Sequence, residues 1–329
     1  MSKNLRNWLI AGGIFLVTSA FAIFCGYFIS RFSHPAETPE ASTEAPAPEE
    51  PSETPESTAE TSTTEATEEE TEADPDLFTD GVITELSETR LNEIAQAYSM
   101  ESKNYPLDKT WDMNNRPEQN VQLQQEFNAR YGEGKVKIFG NTEVPAAYLT
   151  FILTHEVDMN TSMVLDTLKE KDVKALFYVS QSYVETNPEI VKRIVNEGHE
   201  LGSIGAQQDQ PICDLPIEQQ SKDVIRLQQS VTELTGERMT KFYFSFNSYS
   251  DASIAMLTEM GYTVCFYSAN YSDLDETAVI NSDEFLAAMK ECLHQGIVYS
   301  LHTTNTATLV MLPQLIDYLK ENSFTLELL

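Results

Sequence analysis

The chain has 329 residues, 41% of them hydrophobic, with 52 acidic against 21 basic side chains and a formal net charge of −31. That length bounds the folded part to one or two domains, and so large an acidic excess argues against nucleic acid, whose binding relies on Lys and Arg neutralising phosphates. The cysteines Cys25, Cys213, Cys265 and Cys292 form no CxxC pair, which argues against a cysteine zinc site.

Residues 1–7 carry Lys3 and Arg6 and are expected on the cytoplasmic side. The span that follows, residues 8–30, holds an uncharged run from Trp8 to Ile29. At 1.5 Å per residue this run covers roughly 33 Å, enough for the hydrocarbon core of a membrane. Positive charge before the span and acid after it predict a single-pass anchor in the cell membrane, N-terminus inside and the remainder outside. Ala20-Phe21-Ala22 would also suit signal-peptide cleavage, but the apolar run continues past it to Ile29. A lipoprotein cysteine is disfavoured, because Phe24 precedes Cys25 where a small residue is expected.

Residues 31–76 are Glu, Thr, Ser, Pro and Ala with almost nothing apolar, and 15 acidic residues fall between Glu37 and Asp76 without a Lys or Arg. Such a segment cannot bury enough surface to offset chain entropy, so it is expected to be a disordered, extended spacer. Its composition also suits O-glycosylation. Removing those 15 acids and the three basic residues before them leaves 37 acidic and 18 basic residues from Leu77 onward, a net of −19.

From residue 77 to 146 the pattern is irregular. Leu91, Ile94, Ala95 and Tyr98 fall at helical spacing, and the segment is expected to flank the domain that follows. From residue 147 to 329 strand and helix alternate. Strands are expected at 148–153, 175–179, 200–203, 241–245, 263–267, 297–301 and 324–328, with helices at 162–171, 187–197, 216–235, 252–260, 283–294 and 309–321. Asn187-Pro188 is a cap and first-turn pair, and Gly198, Gly236 and Gly296 close helices. About seven βα units with short connections predict an α/β fold with an all-parallel sheet and helices outside. In a βα barrel of this kind the working residues lie at the C-terminal strand ends.

Several stretches carry a resemblance. Leu149-Thr150-Phe151, Gly198-His199-Glu200-Leu201-Gly202, Val173 to Val179, Asn187 to Val195 and Ser300-Leu301-His302 occur in the order and spacing of the polysaccharide deacetylases of the NodB-homology type. They are most similar to the branch acting on peptidoglycan muramic acid. The resemblance covers residues 105–329 and implies a distorted (β/α)7 barrel. In that family one Asp and two His hold a divalent metal, often zinc, while a second Asp serves as base and a His as acid.

This chain departs from that pattern at nearly every working position. The base position is Ile152 and the first metal-ligand position Leu153; the two histidine positions are Ile204 and Gln208, and the arginine position is Phe244. Only the acid position is kept, as His302. Ile and Leu have no donor atom, and Gln is a poor zinc ligand beside His or carboxylate. The resemblance therefore implies a pseudoenzyme with no cofactor, binding cell-wall glycan (peptidoglycan) or an envelope protein partner.

The alternative is an active hydrolase of N-acetyl C–N bonds with zinc on relocated ligands. His155, Glu156, Asp158 and His302 would supply them, though a solvated loop is the favoured account of the first three. Tyr243, Phe246, Tyr267 and Tyr271 lie near predicted strand ends and are candidate sugar-stacking residues, with core packing as the competing account. His199 and His294 are expected to be structural. Cys213, Cys265 and Cys292 are expected to be small buried side chains, with one disulfide at most.

Overall fold

Apolar runs of four to eight residues, too short for buried helices, separate amphipathic stretches along the second half of the chain, and each run becomes a strand. The computed structural model describes residues 83–106, 118–271 and 273–329, all within one compact unit. The expected membrane span at 8–30 and spacer at 31–76 lie outside the described residues. Among the described residues no helix is long and apolar enough to cross a membrane.

The described chain opens with α1 (Glu88–Ala97), capped by the Ser87 hydroxyl, which accepts the Arg90 N–H. Next come β1 (Lys103–Asn104), α2 (Glu118–Tyr131) and β2 (Val136–Lys137). Then follow β3 (Ala146–Leu153), α3 (Asn160–Glu170), β4 (Leu176–Val179), α4 (Gln181–Thr186), α5 (Pro188–Asn196) and β5 (Glu200–Ser203). The second half has α6 (Ile217–Thr235), β6 (Lys241–Phe242), β7 (Ser248–Tyr249), α7 (Asp251–Met260), β8 (Thr263–Cys265) and β9 (Ala269–Asn270). It ends with α8 (Ser282–Glu291), β10 (Ile297–His302), α9 (Thr306–Glu321) and β11 (Thr325–Glu327).

The main sheet runs β2-β8-β6-β5-β4-β3-β10-β9, and every pairing in it is parallel. Two of its pairings, Phe242↔Val264 and Tyr299↔Ala269, fall on one stretch of chain, residues 263–270, which bends at Ser268 between β8 and β9. The ladder therefore returns on itself through β3, β4, β5, β6, the β8–β9 segment and β10. This is a parallel α/β barrel, but its closure differs from the seven strands expected. The seventh, β11, pairs only with the first half of β3, leaving the second half of β3 to β4. Within the segment before residue 147, β2 joins the same sheet through Val136↔Val264.

The core explains the strand choices. All eight residues of β3 are buried, and so are all four of β4. Phe151 and Phe177 stack across them with ring centroids 5.0 Å apart. Burying a side chain of this size contributes about 1.5–3 kcal/mol. Helices cover the outside: Val191 and Ile194 of α5 are buried, as are Val224, Leu227 and Val231 of α6. Asn187 precedes Pro188 as expected, but its side chain does not cap α5; its Nδ2 donates to Thr186 Oγ1 at 2.9 Å because α4 ends there.

The N-terminal part is stitched on by β1, which pairs antiparallel with β7 through Lys103↔Tyr249 and Asn104↔Ser248. Asp251, at the first turn of α7, accepts from Lys103 Nζ (2.7 Å) and Arg130 Nη1 (2.6 Å). Burial raises that carboxyl, but the two cations outweigh it and hold the pKa below the usual carboxylate range.

Candidate functional site

The C-terminal ends of the parallel strands share one mouth, and register sets what meets there. Ile152 sits beside both His302 and Tyr178, and Tyr178 beside Gly202. Residues level with each other on paired strands point to one face, so these four share the barrel interior. Gly202 has room for nothing more: a Cβ there would stand 2.5 Å from the Tyr178 ring. Tyr178 packs against Tyr243, with centroids 5.3 Å apart, and Tyr243 against Tyr267 at 6.2 Å.

His302, at the last position of β10, is held by a residue that the sequence reading missed. Its Nδ1 lies 2.8 Å from Asp273 Oδ1, and its backbone N–H donates to Asp273 Oδ2 at 2.8 Å. Asp273 is fully buried and also accepts from Thr308 Oγ1 at 3.1 Å. A carboxylate at Nδ1 places the neutral ring's proton there and leaves Nε2 as the atom able to take up or give a proton. Asp273 stands in the run Asp273-Leu274-Asp275, where no periodic pattern separates it from solvated loop acids. Only the fold brings it under β10.

The metal-ligand positions present no such chemistry. Leu153 and Ile204 are wholly buried, Ile152 nearly so, and Phe244 lies in the aromatic core against Phe242 and Phe266. Gln208 turns its amide back on its own loop, donating from Nε2 to the carbonyls of Gln207 (2.8 Å), Ile204 (3.1 Å) and Gly205 (3.3 Å). That loop is clamped by Asp223 of α6, which accepts from Ala206 N (2.7 Å) and Gln207 N (2.8 Å). Two aliphatic side chains and a self-bonded amide do not fit a divalent cation, which needs carboxylate or imidazole donors here.

The relocated set is not brought together either. Glu156 is committed to Thr161 N (2.9 Å) at the start of α3 and to the Tyr183 hydroxyl (2.6 Å). Exposed His155 pairs outward with Glu276 at 3.5 Å, and Asp158 lies on a left-handed turn. Among the described residues no three His, Cys, Asp or Glu side chains are grouped to hold a metal ion.

The four candidate stacking residues also separate. Tyr243 and Tyr267 are buried, and both donate their phenols to Asn247 Oδ1 (3.1 and 2.9 Å), so their faces are not offered to a sugar. Tyr271 stacks on Phe285 with centroids 4.2 Å apart. Phe246 alone of the four is open, at 54% exposure. His199 is buried and structural, as is His294 against Phe139. Cys213, Cys265 and Cys292 are all buried and unpaired by disulfide.

Comparison with known proteins agrees with this geometry. Residues 139–265 match the family model described as polysaccharide deacetylase. This region is therefore a polysaccharide deacetylase domain of the NodB type. Among curated relatives, an uncharacterised 30.6 kDa protein from Geobacillus stearothermophilus is 26% identical over 223 residues, 68% of this chain and 83% of its own. The peptidoglycan-N-acetylmuramic acid deacetylase PdaA of Bacillus subtilis is 25% identical over 187 residues, 56% of this chain and 70% of its own. The solved structure of PdaA, a family 4 carbohydrate esterase, superposes with a TM-score of 0.64 at 23% identity, over 70% of this chain and 95% of that one. A mutant of a CE4 family pseudoenzyme superposes with a TM-score of 0.53 at 16% identity, over 73% of this chain and 95% of that one.

Proposed function

We propose that this protein is a membrane-anchored, extracytoplasmic deacetylase-like protein that binds cell-wall glycan at the barrel mouth and does not remove acetyl groups. The observation that carries this reading is the apolar closure of the ligand positions. Ile152, Leu153 and Ile204 are packed into the core where the fold's chemistry would need carboxylate and imidazole. The relative named as a peptidoglycan deacetylase supplies the substrate class, and a CE4 family pseudoenzyme shares the fold. The uncharged run at residues 8–30 and the acidic spacer at 31–76 support the anchor and the outward orientation.

The test is co-sedimentation of the full-length chain with purified peptidoglycan, alongside acetate release with added zinc. Retention on the glycan without acetate is the expected result. Acetate release that disappears in His302→Ala would overturn it. It would favour the second reading, an N-acetyl hydrolase with substitute metal ligands, for which the intact His302–Asp273 pair speaks. No retention would instead point to an envelope protein as the partner. Protease treatment of intact cells checks the orientation, and a C-terminal domain protected until lysis would refute it.

A further inference from the structure

Among the described residues eight large apolar side chains stand exposed, and five of them gather on one flank: Met159, Met163, Leu274, Val279 and Val310. Met159 and Met163 lie one turn apart at the start of α3, and Val310 lies at the second turn of α9. The two helix starts are tied together. Asn160 Nδ2 donates to Thr304 O at 3.5 Å, and the Thr161 and Thr303 hydroxyls meet at 2.9 Å. Lys171 and Asp317, 2.8 Å apart, tie the other ends. Neighbouring helices on one sheet turn their solvent faces the same way, so Met163 and Val310 share an outer surface. The 274–279 loop is fastened to the same corner. Thr304 Oγ1 donates to Leu274 O (2.7 Å), and Asn305 Nδ2 to the carbonyls of Asp275 (2.8 Å) and Ala278 (3.0 Å).

Met159 departs from three local rules at once. It stands just before α3, where Ser, Thr, Asp or Asn would cap the helix, and makes no capping bond. Its backbone is left-handed, φ 65°, next to Asp158 at φ 46°. Its apolar side chain is 67% exposed. The turn is held by Asn160 N donating to Val157 O at 2.8 Å and by Glu156 accepting the Thr161 N–H at 2.9 Å. Departures of this kind mark positions kept for something other than the fold.

Charge says what covers the flank. Segments 154–168, 270–289 and 302–319 build it, and they hold nine Asp and Glu and no Lys or Arg. Arg193 and Lys171 reach Asp166 and Asp317 from outside these segments. Asp158, Asp275 and Glu276 stand exposed near the apolar side chains. So acidic a face repels both an anionic membrane surface and a second copy of itself. Exposed methionine among aliphatic side chains suits a protein interface. We propose that this flank docks a basic segment of a second protein. Its apolar side chains cover Met163 and Val310, and its Lys or Arg face Asp158, Asp275 and Glu276. The surface is outside the barrel and independent of the glycan-binding reading.

The test is photo-cross-linking of the full-length chain in the cells that make it. A benzophenone side chain is placed at Met163, at Val310, or at exposed Val144 before the other end of β3, and the adducts are sequenced by mass spectrometry. Met163 and Val310 should capture the same protein, through a peptide carrying Lys or Arg among apolar residues, and Val144 should not. That peptide, synthesised and labelled, should bind the full-length chain in fluorescence anisotropy, and more weakly as salt rises. Met163→Lys with Val310→Lys should weaken it roughly tenfold or more. Tm should hold, because both side chains are already exposed. Met163→Ala with Val310→Ala, which adds no charge, should weaken it in the same direction. Adducts only to lipid, to a second copy or to this chain itself overturn the proposal. So do an acidic captured peptide, unchanged affinity in both double variants, or no adduct at either position.

Discussion

His199 occupies a position where protonation and folding oppose each other. Its Nδ1 accepts the Ala175 N–H at 3.1 Å and its ring stands edge-on to Phe177, with centroids 5.3 Å apart. Burial, with Lys174 nearby, pushes its pKa down to about 4. The unfolded chain takes up this proton near pH 6.5, so the His199 contribution is complete above that pH and is lost as pH falls toward 4. Urea unfolding at pH 7.5 and pH 5 should show wild type losing about 1–2 kcal/mol more than His199→Asn, which cannot titrate. A pH dependence equal in the two proteins would contradict this. The sequence placed His199 correctly as a helix-end residue after Gly198, but nothing local revealed its acceptor role, because the donor comes from β4's approach. Asp273 was illegible for a related reason: its partners His302 and Thr308 lie in β10 and α9.

At the scale of elements, the long apolar or amphipathic runs were legible and the two-residue strands were not. β3, α3, α6, α7 and α9 formed within a few residues of their expected bounds because each carries its own periodicity. β1, β7 and β9 have two residues each, and their pairing is decided by where the rest of the barrel puts them. The expected strand at 241–245 shortened to β6 because the left-handed turn at Phe246 and Asn247 takes the chain out of the sheet. α4 went unseen because its six residues are set by the Ser180 cap, which accepts the Tyr183 N–H. The strand ends and the loop after β5 give a direct test of the emptied metal site. Leu153→Asp, Ile204→His and Gln208→His together restore the ligand types at positions already gathered at the mouth. Without metal the triple variant should lose a few kcal/mol, since it buries polar groups without partners. With zinc at a hundredfold excess over Kd it should regain about 2.7 kcal/mol, read as a rise in Tm that the wild type does not show. No zinc-dependent shift would mean that these strand ends are too far apart, or too tightly packed, to close on an ion.

Over the whole molecule, the parallel barrel and its order of elements were readable from alternation of apolar runs and turn residues, but its closure was not. Sequence suggests how many strands form; it does not say that residues 263–270 serve two neighbours in succession, with β6 at one end and β10 at the other. The same closure predicts how the molecule tolerates shortening. β10 pairs with β3 along six residues, Ile297↔Ala147 to His302↔Ile152, and β11 takes the far side of β3. A chain ending at Gly296 should therefore leave both edges of β3's first half unpaired and fail to give a cooperative thermal transition by circular dichroism. A sharp transition in that shortened chain would show that the remaining strands close without it.

The pairing of β3 with β10 also fixes when the protein can fold. Contacts between segments so distant in sequence form slowly, since the intervening chain must be drawn in before any of them rewards the loss of its freedom. While the chain is being synthesised, β3 emerges long before β10, which flanks six of its eight residues. If the chain is exported as it is made, the barrel cannot form on the inner side ahead of passage. The first half of its fully buried central strand travels unpaired until the final elements arrive, and the strongly acidic residues elsewhere in the chain keep such intermediates apart.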